Sequence, residues 1–130
     1  MVIDTSALIA ILLGEPESAR LAKAIAETPV RLMSAFSALE TAIVIEAKKG
    51  ESGGRELDLL LHRAQVDIVP LNAEQMALAR SAWRRFGKGR HAAGLNLGDC
   101  CAYALSKYAG YPLLFKGDDF PQTDLQAVAY

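Results

Sequence analysis

Four short apolar stretches recur along the 130 residues: Val2-Ile3, Val30-Arg31-Leu32-Met33, Val66-Asp67-Ile68-Val69 and Pro112-Leu113-Leu114-Phe115. Runs with helical spacing separate them, and this alternation constrains the fold more than any other feature. Strands joined through helices of ten or more residues connect by crossovers rather than hairpins, so they lie mainly parallel and need helices on both faces. The chain is therefore expected to form an α/β fold, a three-layer α/β/α sandwich around a mainly parallel central sheet. Ligands of such sheets bind outside the carboxyl ends of the strands.

The intervening helices can be bounded by their punctuation. Asp4-Thr5-Ser6 supplies three good capping types before the run Ala7 to Leu13. Gly14-Glu15-Pro16-Glu17 restarts a helix that continues to about Glu27, with proline and acids where a first turn favours them. A long helix follows Ser34 to about Lys49, and the cluster Gly50-Glu51-Ser52-Gly53-Gly54 is expected to break the chain before Leu57, Leu60, Leu61 and Ala64 resume helical spacing. Further helices are expected from about Ala73 to Phe86 and from about Gly98 to Ala109, and Ala127-Val128-Ala129 as a fifth short strand.

With 52% hydrophobic residues the chain can fill a core unaided, and its length fits one domain spanning 1–130. The two cysteines, Cys100 and Cys101, are neighbours, which strains disulfide geometry and fits a reducing, cytoplasmic setting. No basic segment precedes the Ala7–Leu13 run, which is far shorter than the ~20 residues that span a bilayer, so neither secretion nor a membrane is expected. A net charge of −1 gives no global attraction for nucleic acid, so any such surface must be local.

Acids fall where the predicted strands meet their helices. Asp4 closes the first strand, Asp99 opens the helix before the fourth, and Asp118-Asp119 follow that strand in a glycine-led turn. Taken singly, these acids read as helix caps and turn residues. Glu40 is different, because at one-turn spacing it neighbours Phe36, Ser37, Ile43 and Val44, with Ala47 beyond, and this places a carboxylate in an apolar stripe. No lysine or arginine stands one turn away to pair with it. An ionised carboxylate so placed must be protonated, paired or coordinated. Carboxylates converging on one rim repel unless hard cations lie between them. An all-oxygen set without histidine suits Mg²⁺ or Mn²⁺ completed by substrate phosphate.

A second pattern lies between Glu74 and Asp99, where no acid occurs. Arg80, Arg84, Arg85, Lys88 and Arg90 stand beside Trp83, Phe86 and His91, with Gly87 and Gly89 between them. Interleaved cations and rings suit a single-stranded nucleic acid, the cations tracking phosphates and the rings stacking on bases. A helix end with Trp83 in the core explains the same residues.

Met1-Val2-Ile3-Asp4-Thr5-Ser6-Ala7-Leu8, Glu40, Leu95-Asn96-Leu97-Gly98-Asp99-Cys100 and Leu113-Leu114-Phe115-Lys116-Gly117-Asp118-Asp119-Phe120 together resemble the PIN domain, specifically the VapC toxins of bacterial toxin–antitoxin pairs. The resemblance covers essentially the whole chain in order and spacing. It implies a metal-dependent ribonuclease whose acidic set corresponds to Asp4, Glu40, Asp99 and one of Asp118 and Asp119, with Asp119 favoured because it precedes Phe120. Asp4 and Asp99, with Asp119, would hold Mg²⁺ or Mn²⁺, Glu40 would anchor the water network or accept a proton, and Thr5, Ser6 and Asn96 would orient them. It further implies RNA as substrate, products with 5′ phosphate and 3′ hydroxyl, a VapB-type antitoxin that blocks the rim with an arginine, and a homodimer.

Two other readings remain at this point. A receiver-like phosphotransfer module also suits a small α/β chain with acids after its first strand, although Asp67 lies at the start of its strand instead of the end. A catalytically inactive PIN-like binding domain would lack metal affinity.

Overall fold

The computed structural model describes residues 1–130. Strands β1 (Val2–Ile3), β2 (Leu32–Ser34), β3 (Asp67–Val69) and β4 (Leu113–Leu114) pair in the order β3-β2-β1-β4, every pair parallel. Helices α1 (Thr5–Leu12), α2 (Ser18–Glu27), α3 (Ala35–Arg63), α4 (Ala73–Phe86) and α5 (Leu97–Ala109) make the crossovers. The expected three-layer α/β/α sandwich is therefore the fold. Parallel pairing brings the carboxyl ends of all four strands to one rim.

Strands of two or three residues suffice because each residue packs into a different layer. Val2 and Leu113 face a core shared with Phe86, Leu95, Tyr103 and Phe115 under α4 and α5. Ile3 and Leu114 face the opposite core, with Leu8, Leu21, Ile25, Met33, Ile45 and Leu57 under α1, α2 and α3. One residue of register slip would exchange these faces. β1 and β4 are thus pinned by burial on both sides despite their short ladders, whereas β3 is an exposed edge with Ile68 43% exposed.

Three expected boundaries differ in extent. The helix from Ala35 ends at Gly50 as expected, where φ is 66° and ψ −158°, but the break is that one residue instead of the whole cluster to Gly54: α3 kinks there and is helical again as far as Arg63. Positive φ is accessible to glycine without steric penalty, so one residue redirects the axis without a loop. Residues 14–17 form a turn, and α2 begins at Ser18. Ala127 makes a single parallel bridge to Leu113 rather than a full fifth strand. No helix is long and apolar enough to cross a membrane.

Candidate active site at the carboxyl rim

β1 runs directly into Asp4, whose backbone N–H bonds the Leu114 carbonyl at 2.9 Å, so the residue is fixed against the neighbouring strand β4. Its side chain caps α1. Asp4 Oδ2 accepts from Ser6 N at 3.0 Å and from Ser6 Oγ at 2.5 Å. Ser6 Oγ in turn accepts from Lys116 N at 3.0 Å, which ties the cap to the segment following β4. Both side-chain bonds fall on Oδ2, and no protein donor bonds Oδ1. Asp4 is 4% exposed, and burial is the main force raising its pKa. The Ser6 bonds oppose that rise, the charges of Asp99 and Glu40 add to it, and the result is about 6.

Asp99 opens α5, but not as its cap. Asn96 takes that position, accepting from Asp99 N at 2.9 Å, while Asp99 Oδ2 accepts from Asn96 N at 3.1 Å. This reciprocal capping box fixes the acid in the first turn and again occupies one carboxylate oxygen. Burial raises the Asp99 pKa, the Asn96 bond opposes it, and the charges of Asp119 and Glu40 add to the rise. Of the adjacent pair, both exposed, the acid felt at Asp99 is Asp119, and Asp118 bonds Gln122 only through its carbonyl.

Glu40 is held differently from what its sequence neighbours suggest. The buried stripe of α3 at this level is Ser37, Thr41 and Ile45; Phe36 and Val44 are only half-buried, and Ile43 and Ala47 are exposed. Glu40 therefore flanks the apolar stripe. The small polar Ser37 and Thr41 take the inward positions because Thr41 Oγ1 satisfies itself on the Ser37 carbonyl at 2.7 Å and on Thr5 Oγ1 at 3.2 Å. Thr5 Oγ1 then donates toward Glu40 Oε1 at 2.9 Å and the Ser37 carbonyl at 3.1 Å. Half-buried Glu40 leans over the start of α5: a Cβ placed on Gly98 would lie 2.4 Å from Oε2 and 2.5 Å from Oε1. The lack of a side chain at Gly98 lets the Glu40 carboxylate reach the N-terminal turn that carries Asp99, where the helix dipole favours an anion.

Asp4, Glu40, Asp99 and Asp119 thus share one electrostatic neighbourhood. No base pairs with any of these four side chains. The nearest cation in sequence, Lys116, is engaged elsewhere, 2.9 Å from Glu15 and 3.1 Å from Glu17. Thr5, Ser6 and Asn96 hold the carboxylates as expected from their types. Gly98, Thr41 and the Lys116–Glu15–Glu17 clamp escape a reading of the sequence. A glycine in the second position of a helix has no local signature, and Glu15 lies 101 residues from its lysine.

The basic segment lies beside this rim. Trp83 is 45% exposed, not in the core, with the Arg90 guanidinium 4.4 Å from its ring centroid. Phe86 is buried edge-on to His91, and Arg85 turns away to Tyr103 and Asp124. Arg80, Arg84, Lys88 and Arg90 are left exposed. Cys100 and Cys101 are buried thiols whose pKa values burial raises, to about 11 for Cys100, which makes them poor nucleophiles.

An all-parallel three-layer sandwich with carboxylates gathered at its rim defines the class of protein, and the PIN domain family model matches residues 1–125. Over 128 residues the chain is 62% identical to a Ribonuclease VapC of Mycolicibacterium smegmatis, covering 98% of this chain and 99% of that one. It is 60% identical over 129 residues to Ribonuclease VapC30 of Mycobacterium tuberculosis, covering 99% and 98%. The fold matches Mycobacterium tuberculosis VapC20, a sarcin–ricin loop cleaving toxin, with TM-score 0.80 at 18% identity, covering 98% of this chain and 97% of that one. It also matches a toxin–antitoxin complex from Klebsiella pneumoniae with TM-score 0.74 at 17% identity, covering 99% and 97%. The chain belongs to the PIN domain family, as one of its VapC toxin ribonucleases, which removes the receiver-like alternative.

Proposed function

We propose that this chain is the toxin of a type II toxin–antitoxin pair and an endoribonuclease that hydrolyses RNA phosphodiester bonds with Mg²⁺ or Mn²⁺. The observation that carries the reading is the division of labour on its carboxylates. Asp4 and Asp99 each commit one oxygen to a hydrogen bond from the protein and keep the other free of protein donors, with no base nearby. Hard oxygen donors held this way fit a hard divalent cation. No three acidic, histidine or cysteine side chains are grouped closely enough to cage an ion by themselves. That suits magnesium, which takes one or two carboxylates and completes its shell with water and substrate phosphate.

Asp4 and Asp99 are the metal-holding pair, with Asp119 at the edge of the same field. When bound, the cation supplies Lewis acidity, a water acidified toward neutrality and compensation for charge on the phosphoryl oxygens. The chain's own contribution is orientation. Ser6 fixes Asp4, the Asn96 capping box fixes Asp99, and Thr5 with Thr41 behind it aims Glu40 to organise water or accept a proton. Arg80, Arg84, Lys88 and Arg90 receive the RNA backbone, so binding weakens as salt rises.

A VapB-type antitoxin silences the rim, and an arginine entering among four carboxylates is the chemistry that fits it. Leu39 and Ile43, each 60% exposed on one face of α3 beside the rim, support a homodimer. The Klebsiella structure that shares this fold is a toxin–antitoxin complex, which supports the partner. The cytoplasm is the compartment where such a substrate and inhibitor meet.

The test is an RNA cleavage assay with purified toxin. Cleavage is expected with Mg²⁺ or Mn²⁺, leaving 5′ phosphate ends, and is expected to vanish in excess chelator and to fall at least about a hundredfold in Asp4→Asn and Asp99→Asn. Activity undiminished by either treatment overturns the mechanism. No activity in wild type together with no measurable Mn²⁺ binding would move the chain toward a binding role.

A further inference from the structure

An apolar cavity of about 510 Å³ lies between α4 and the start of α5. Ala79, Leu95, Cys100 and Cys101 form its floor, and Trp83 and Met76 a wall. Three features set it apart from an ordinary packing defect. Arg80 and Lys88 line it, and Asn96, whose side chain fixes Asp99, belongs to its edge. The cavity therefore opens beside an acid of the proposed metal site. Trp83 is built in place although half of it is exposed: a Cβ on Gly87 would lie 2.6 Å from its Cδ1, and Arg90 stacks on its ring. An indole immobilised at the surface between a bare backbone and a guanidinium is a prepared stacking partner.

We infer that this groove is a nucleobase subsite, in which one unpaired base flanking the scissile phosphate unstacks and lies against Trp83. Arg80 and Lys88 pair with the adjoining phosphates. The inference rests on the nuclease reading and deepens it: the cations call for an anionic polymer, and the apolar floor calls for its base. Base–aromatic stacking is tolerant of sequence, so the subsite selects unpaired RNA over duplex before it selects a particular base.

Trp83 is the only tryptophan, so its emission reports on the groove alone. Asp4→Asn in Mg²⁺, chosen because Asp4 is not part of the groove or of the Asn96–Asp99 box, is titrated with a single-stranded RNA oligonucleotide that the wild type cleaves. A matched series carries one abasic nucleotide at each position in turn. Saturable quenching is expected with the intact oligonucleotide and is expected to disappear for an abasic nucleotide next to the cut. Ala79→Phe, which fills the floor, and Arg80→Ala, which leaves the floor intact, should each weaken oligonucleotide binding about tenfold while Mn²⁺ affinity stays unchanged. If wild type cleaves RNA but quenching is absent and the abasic series is flat, the subsite is overturned and the nuclease stands. If no RNA is bound or cleaved, both fall. Emission that changes with protein concentration alone and then ignores RNA means a second copy covers the groove, which also overturns the subsite.

Discussion

Two groups of acids in this molecule receive opposite treatment. Asp124, in the C-terminal segment, accepts from Tyr103 Oη at 2.7 Å and lies 3.0 Å from Lys107 and 3.7 Å from Arg85. Its partial burial pushes its pKa up, but the Tyr103 and Lys107 bonds outweigh that and hold it below the ordinary carboxylate range. At the rim, Asp4 and Asp99 are more deeply buried and have only neutral donors, so their pKa values rise. The first arrangement satisfies a carboxylate and fastens a chain terminus. The second leaves charge unbalanced where water is scarce, a disposition that serves a ligand better than stability.

The sharpest way to break this contrast is Asp4→Asn. Cleavage should fall by about a hundredfold or more, since the group proposed to hold the cation is gone. Metal-free protein should become more stable at neutral pH. Asp4 has an ordinary value of 3.8 and a folded value of about 6, so the folded state binds its proton more tightly. The stability it contributes is full below 3.8 and is lost as pH rises through 6, about 3 kcal/mol in all. Urea denaturation in chelator from pH 4 to 7 should therefore show wild type losing ground relative to Asp4→Asn, and added Mn²⁺ should restore wild type alone. A variant less stable than wild type at pH 7 in chelator sinks the claim that this carboxylate is held under strain.

Gly98→Ala tests the same rim without touching an acid. Its methyl group would collide with the Glu40 carboxylate and displace it from α5. Loss of such support lowers metal affinity or activity by about 10- to 100-fold. Helix propensity alone favours alanine over glycine. Calorimetric Mn²⁺ titration alongside thermal melts in chelator separates the two effects; weaker metal binding without a large drop in melting temperature is expected. Ser6→Ala should act in the same direction more gently, by about tenfold, because Asp4 keeps the Ser6 backbone bond and loses the hydroxyl.

The readability of these features from sequence follows the range of the interactions that make them. Asp4 was visible because an apolar pair ending at a capping residue is a local pattern, and the parallel order followed from helices between every two strands. Glu40 was found for the wrong reason. Periodicity identified an unusual acid, but Thr41 occupies the inward face by donating to the Ser37 carbonyl and to Thr5 Oγ1, beside a buried Ser37 hydroxyl that bonds no protein group, an arrangement no hydropathy pattern registers. Asp99 had the right helix and the wrong position, because Asn96 was the better cap and made Asp99 its third-residue partner. The break expected at Gly50 is there but shorter than the glycine cluster suggests, since one residue with positive φ suffices to turn the axis. Gly98 depends on a side chain 58 positions away in the numbering and could only come from coordinates.

The smallest effect belongs to Asp124→Asn, and it sharpens the comparison from the satisfied side. The substitution keeps an acceptor for the Tyr103 hydroxyl and removes the charge that holds Lys107 and Arg85. With the Asp124 side chain 42% exposed, solvent screens those ion pairs, so the loss in unfolding free energy should be about 0.5–1 kcal/mol. Its sign with pH is opposite to that of Asp4. A depressed folded pKa contributes stability above the ordinary carboxylate value and loses it as pH falls, so wild type and variant should converge in acid. Mn²⁺ affinity and cleavage should remain at wild-type levels, because Asp124 bonds none of the four rim acids. A variant that folds normally yet binds Mn²⁺ tenfold more weakly would mean that the terminal fastening and the rim are one device, with Asp119, five residues earlier, as the link between them.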